Sequence, residues 1–341
     1  MTVLSFGELL LRLASPGYTK LFQKDNLEAT FCGGEANVAV SLANYGIDSQ
    51  FLTVIPDNAV GIASLNSLRY FGVDVSKTFY SDGRMGLYYL EKGVSQRPSK
   101  VIYDRKYSAL SQAKPEQFDW KLIFKDVDWF HWTGITPALS DSLVTICEQA
   151  CMYAKENGII ISCDLNYRKT LWDTDKAQRV MKNLMKYVDV CVANEEDADK
   201  MLGIASKNNH IETGVLNKQG YEDVAMNICD NYGCKKVAIT LRESFSASRN
   251  GWSGMIYDAK TNKACFSNSY EIDVVDRVGG GDSFTGALIY GMLMKKSDKD
   301  IIDFAVAASC LKHSIEGDFN RISVSDVESL LKNGGNGRVQ R

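Results

Sequence analysis

Six short apolar runs constrain this chain more than any other feature: Val3–Phe6, Phe51–Ile55, Val127–Trp132, Ile159–Cys163, Val188–Val192 and Val237–Leu241. They are continuous rather than alternating, as in strands covered on both faces of a parallel sheet. Helical patterns lie between them. One starts after Ser140, sets Leu143, Cys147, Ala150 and Ala154 on one stripe, and stops before Gly158. Ser140 suits an N-cap and Gly158 a C-terminal stop. Strand and helix in alternation predict a right-handed, doubly wound α/β fold with a mostly parallel sheet flanked by helices. Three successive helices are expected at the end, over Ser283–Met294, Asp300–Ile315 and Val324–Leu331, with capping-box spacing between Ser323 and Asp326. The Gly-rich stretch 334–341 reads as a flexible tail.

One region breaks the pattern. Gly86–Lys92 and Lys100–Arg105 look like strands too polar for a buried sheet, and Pro98 lies between them. A small antiparallel β flap over one edge of the main sheet is expected. Spacing alone leaves open whether it closes over a ligand or is a plain surface hairpin.

Bulk properties exclude several functions. Lys and Arg number 39 against 42 Asp and Glu, a net charge of −3 that gives no footprint for nucleic acid or a membrane surface. The start, MTVLSFGELLLRLASPG, lacks a basic leader, and Glu8 and Arg12 interrupt its apolar stretch, so it reads as a first strand. No apolar run reaches the roughly 18 residues of a membrane span. The nine cysteines are odd in number and form no C-x-x-C pair, and the three histidines are far apart. Reduced, buried thiols in the cytoplasm are the expectation.

The stretch Asp276-Arg-Val-Gly-Gly-Gly-Asp282-Ser-Phe-Thr-Gly carries the most chemistry. Glycines allow close approach of backbone to a ligand, and the first amides of a helix point outward without internal partners. Asp282 can take a proton from a hydroxyl while the amides of Gly279, Gly280 and Gly281 stabilise a transferring phosphoryl group. An ordinary Asp cap after a flexible turn has the same local appearance. No Gly-x-x-x-x-Gly-Lys loop is present, so any phosphate must be held by helix amides.

Asp276–Ile289 resembles the C-terminal signature of the ribokinase, or phosphofructokinase B, family, and Phe31-Cys-Gly-Gly34-Glu-Ala-Asn37-Val-Ala-Val resembles its N-terminal Gly-Gly signature. The resemblance covers essentially the whole chain. It implies a ribokinase-like kinase domain over 1–333 with a lid drawn from roughly 10–30 and 86–106, use of ATP and Mg²⁺, and association into a homo-oligomer through the lid. Gly86-Leu-Tyr88, Tyr103-Asp-Arg105, Asp164-Leu-Asn-Tyr-Arg168, Thr240-Leu-Arg242 and Gly317-Asp318 look like the 2-keto-3-deoxygluconate kinases, which phosphorylate a terminal 6-hydroxyl of a sugar acid. Tyr103 and Arg105 then face one side of a strand, and the Arg105 fork suits a carboxylate. Gly34, Tyr88, Tyr103, Arg105, Arg168 and Asp318 are the implied substrate contacts, with Arg168 also reaching the transferring phosphate. Asn194 and Asp197 match an Asn-x-x-Glu motif for phosphate and magnesium, with Asp in place of Glu, so that Asp197 would reach the metal through water. Thr240, Arg242, Gly279 and Gly281 are the remaining implied nucleotide contacts. Alternatives are a kinase for fructose or the galactonate-derived keto acid, or a non-catalytic sugar-acid sensor on the same fold.

Overall fold

The structure, a computed structural model, describes residues 1–205 and 218–334. The tail expected from 334 lies, beyond that residue, outside the described residues.

All six apolar runs are strands of one large sheet. In chain order its strands are β1 (Thr2–Phe6), β4 (Asp48–Pro56), β5 (Thr78–Ser81), β8 (Trp129–Thr133), β9 (Ile160–Asp164), β10 (Val190–Ala193), β11 (Lys236–Ser244), β12 (Arg249–Asp258), β13 (Lys263–Phe266) and β14 (Tyr270–Asp273). The spatial order is β13-β12-β11-β10-β9-β8-β1-β4-β5, with β14 also on β12. Pairing is parallel from β5 across to β11. β12 reverses the direction against β11, β13 and β14. β8 is buried from end to end, which its continuous apolar sequence requires. His131 sits there as a packed strand residue, bonded to Ser162.

Helices cover both faces: α1 (Gly34–Asn44), α2 (Ala59–Arg69), the short α3 (Trp120–Ile123) and α4 (Ile135–Ala138), α5 (Asp141–Glu156), α6 (Thr174–Leu184), α7 (Glu195–Leu202), α8 (Lys218–Tyr232), α9 (Gly280–Leu293), α10 (Asp298–Lys312) and α11 (Val324–Asn333). Ser140 caps α5 by accepting from the Leu143 amide, and Ser323 and Asp326 form the expected box on α11. One core lies under α5 to α8, and a second packs α1, α9 and α10 on the opposite face. α9 starts three residues before the expected Ser283. Intrinsic propensity argues against glycine in a helix, but packing overrides it: a Cβ on Gly280 would meet the His313 ring at 2.4 Å.

The polar strands form a separate four-stranded sheet from β2 (Leu10–Ala14), β3 (Glu28–Cys32), β6 (Gly86–Glu91) and β7 (Lys100–Asp104). Its two hairpins, β2–β3 and β6–β7, are antiparallel. β2 and β6 run parallel, because the intervening chain returns through β4 and β5 of the main sheet. In the main sheet the chain runs outward from β1 to β4 and β5 and then resumes on the other side of β1 at β8, and ligands bind at such a switch point, at the carboxyl ends of the strands. The small sheet rises from that edge.

Candidate active site

α9 begins at the open edge. Its N-cap, Gly279, has φ 82°, and a Cβ there would meet the Asp318 carbonyl oxygen at 2.1 Å, so only glycine fits. The Gly280 amide is occupied by the Arg277 carbonyl at 3.3 Å. This corrects the expectation that all three glycine amides face the ligand. Among the described residues, the amides of Gly279, Gly281 and Asp282 have no partner, and Gly281 faces open space.

Asp282 occupies the first turn, where its carboxylate accepts a 2.6 Å hydrogen bond from Asn37 of α1. A Cβ on Gly34 would lie 3.8 Å from the Asp282 Oδ1 and 4.0 Å from the Asn166 amide nitrogen. A bare Cα at Gly34 therefore keeps a space open between these two polar groups. Burial raises the Asp282 pKa to about 7, Asp318 and Glu35 add to the rise, and Asn37 and Arg168 oppose it. A carboxyl that titrates near neutrality beside an open helix N-terminus is suited to accept a proton.

Behind Asp282, Glu35 is buried and accepts from the Thr133 amide and from the hydroxyls of Thr133 and Thr136. It ties α1 to the carboxyl end of β8. Asn166, after β9, has φ 43° and is 9% exposed. Its side-chain amide makes no hydrogen bond among the described residues. Arg168 donates to the Tyr167 carbonyl and has no carboxylate within ion-pair distance among the described residues. It is a free cation close to Asp164, Asp197 and Asp282.

The predicted sugar-acid contacts are more committed than the sequence suggested. Arg105 is buried and paired with Glu8, its Nε 2.7 Å from the carboxylate. Tyr103 lies on the same side, its ring 5.5 Å from the Arg105 guanidinium carbon and 5.9 Å from the Tyr88 ring. The Tyr88 hydroxyl already donates to Asp318, at 2.7 Å from Oδ2. Asp318 is also held by Arg12, whose other arm reaches Asp276 at 2.5 Å. Asp318 is thus a buried network member rather than an exposed loop carboxylate.

On the nucleotide side, Asn194 and Asp197 form a capping box on α7. Asp197 also accepts from the Tyr167 amide, and burial raises its pKa to about 6. Burial, with Asp197 and Asp282 nearby, holds the Asp164 carboxyl well above the usual range. Two buried carboxylates that repel each other fit a nearby cation, and no group of three or more ligating side chains exists among the described residues. Contact with Mg²⁺ through water is the arrangement these residues fit. Thr240 is half-buried and Arg242 exposed on β11. Burial and Arg242 together lower the pKa of Arg277, which reaches the Ala247 carbonyl. Two guanidinium groups close enough to repel each other favour an anion nearby.

Asn37, Glu35, Asn166, Asp164, Glu8, Arg12 and Asp276 escaped the sequence reading. Several lie inside motifs already recognised. Arg12 carried its own signal, a charge on the buried phase of a strand whose neighbours on that face are Leu10 and Ala14.

The description "pfkB family carbohydrate kinase" matches residues 2–320. The chain belongs to this family. The kinase is 48% identical to a crystal structure of 2-dehydro-3-deoxygluconokinase from Thermotoga maritima, with a TM-score of 0.93 over 98% of this chain and all of that one. It is 29% identical to the 2-dehydro-3-deoxygalactonokinase of Haloferax volcanii, over 97% of each chain. It is 28% identical to the 2-dehydro-3-deoxygluconokinase of Thermoproteus tenax, over 97% of this chain and 94% of that one. No helix among the described residues is long and apolar enough to cross a membrane.

Proposed function

We propose that this carbohydrate kinase transfers the γ-phosphoryl group of ATP to the 6-hydroxyl of 2-keto-3-deoxy-D-gluconate. The observation that carries the reading is Asp282, recessed at the open N-terminus of α9 and facing the bare Cα of Gly34. The acceptor hydroxyl lies in that space. Asp282 takes its proton as the phosphoryl group moves. The amides of Gly279, Gly281 and Asp282 hold the developing charge together with Arg168. Arg242, Arg277 and Thr240 hold the remaining phosphates along the end of β11. Bound Mg²⁺ would neutralise phosphate charge during transfer, and Asp164 and Asp197 are the carboxylates that would hold it, through water.

The acid end of the substrate meets Arg105 and the Tyr103 ring under the small sheet, which acts as a lid. Arg105 keeps free N–H donors beyond those given to Glu8. Asn166 offers its unpaired amide to a sugar hydroxyl. The Haloferax volcanii relative favours a second substrate, the galactonate-derived epimer, and the two belong side by side in one assay. Two copies associate through the lid, whose Val101 and Ile102 are 40% and 55% exposed. Nine free thiols agree with a place in the cytoplasm.

Asp282→Asn tests the reading. Phosphorylation of the keto acid should fall about a thousandfold, with ATP affinity by calorimetry almost unchanged. Turnover within tenfold of the parent removes the base.

A further inference from the structure

Arg12 is the residue the reaction scheme leaves unused. It comes from β2 of the small sheet and is 3% exposed, and its side-chain hydrogen bonds go to Asp318 and Asp276. Its guanidinium spans two carboxylates that flank the start of α9, Asp276 before the glycines and Asp318 after α10. Each carboxylate is a joint. Asp276 also accepts from the amides of Val278, at 3.2 Å, and Gly317, at 3.1 Å. The backbone carbonyl of Asp276 receives the buried Lys312 ammonium at 3.3 Å. Asp318 receives Tyr88 of β6, and its own carbonyl is the surface against which Gly279 fits. One side chain from the small sheet therefore holds both segments that shape the open amides.

We infer that Arg12 is a positioning residue that couples the seating of the small sheet over the acceptor to the geometry of the α9 N-terminus and of Asp318. The inference rests on the function proposed above. A planar fork can satisfy both carboxylates at once, whereas an ammonium reaches one. A buried charge left without its partner destabilises what surrounds it, so an unseated sheet leaves Lys312 as the cation shared by Asp276 and Asp318 and loosens the loops they hold. Seating and assembly of the anion site then occur together.

Charge and fork are separable by experiment. Asp282 is faced by Asn37 and Glu35 from α1, by Asp164 and Arg168 from the end of β9, and by Asp318 and Lys312 from the end of α10. Removing the Arg12 charge leaves Asp318 less neutralised. Its repulsion of a charged Asp282 grows, and the acid limb of kcat/KM moves to higher pH. Arg12→Lys keeps the charge and loses the fork. It should lower kcat about tenfold to a hundredfold, the cost of slight misplacement, with KM for ATP changed less than twofold and the acid limb unmoved. Arg12→Gln should show the same kcat loss and a displaced limb. Arg12→Lys combined with Asp276→Asn should lose no more than the worse single variant. Arg12→Lys with kcat within twofold of the parent overturns the inference, as does full additivity. If Arg12→Gln does not fold, the lysine variant and the double variant decide alone. Asp282→Asn runs alongside: if it stays active, the proposed base falls; if it is dead while Arg12→Lys is normal, only the role of Arg12 falls.

Discussion

Asp282 is suited to the proposed role of base because its surroundings set its charge. Burial and the nearby Asp318 and Glu35 lift its pKa to about 7. A base works deprotonated, so kcat/KM for the keto acid should decline as pH drops below about 7 and level off above it. Asn37 bonds the charged form, and Asn37→Ala should move that limb further up. A pH–rate profile of both proteins checks this, and a limb near the ordinary carboxylate range in each rejects it. Asp282 was legible as a candidate base from its place after three glycines, and Asn37 lay within the other recognised signature. The partners of Arg12 and Arg105 were not legible. Arg12 meets a carboxylate 306 residues away and Arg105 one 97 residues away, and no local pattern encodes such pairings.

At the level of elements, the proposed reaction centres on the N-terminus of α9. Gly279→Ala places a non-glycine residue in left-handed backbone, which costs about 1–2 kcal/mol, and drives a methyl group into the Asp318 carbonyl. The loop must shift, taking the amides with it. The expected result is a kcat loss of about a hundredfold or more with a lowered melting temperature, read by steady-state kinetics and circular dichroism. A parent-like kcat shows that these amides do not hold the phosphoryl group. The strands were readable because double burial demands continuous apolar sequence. The first turn of α9 was not, because the glycines there answer to His313 and Asp318, which come from distant segments.

For the whole molecule, the small sheet is the feature with the most consequences. It brings Arg105, Tyr103, Tyr88 and Arg12 over the edge of the main sheet and leaves Val101 and Ile102 toward solvent. If two copies pair through this surface, sedimentation should give a dimer, and Ile102→Lys should give a monomer. A parent protein that sediments as a monomer excludes the pairing. Sequence alone determined the layered α/β architecture, the polar strand pair outside it and the aspartate at the glycine-rich helix start, because periodicity and backbone freedom are local properties. Only the tertiary structure decided which amides stay open and which carboxylates Arg12, Arg105 and Tyr88 neutralise. A buried charge takes whichever partner folding brings within reach, and that proximity is set by the packing of the two sheets, not by neighbours in the chain.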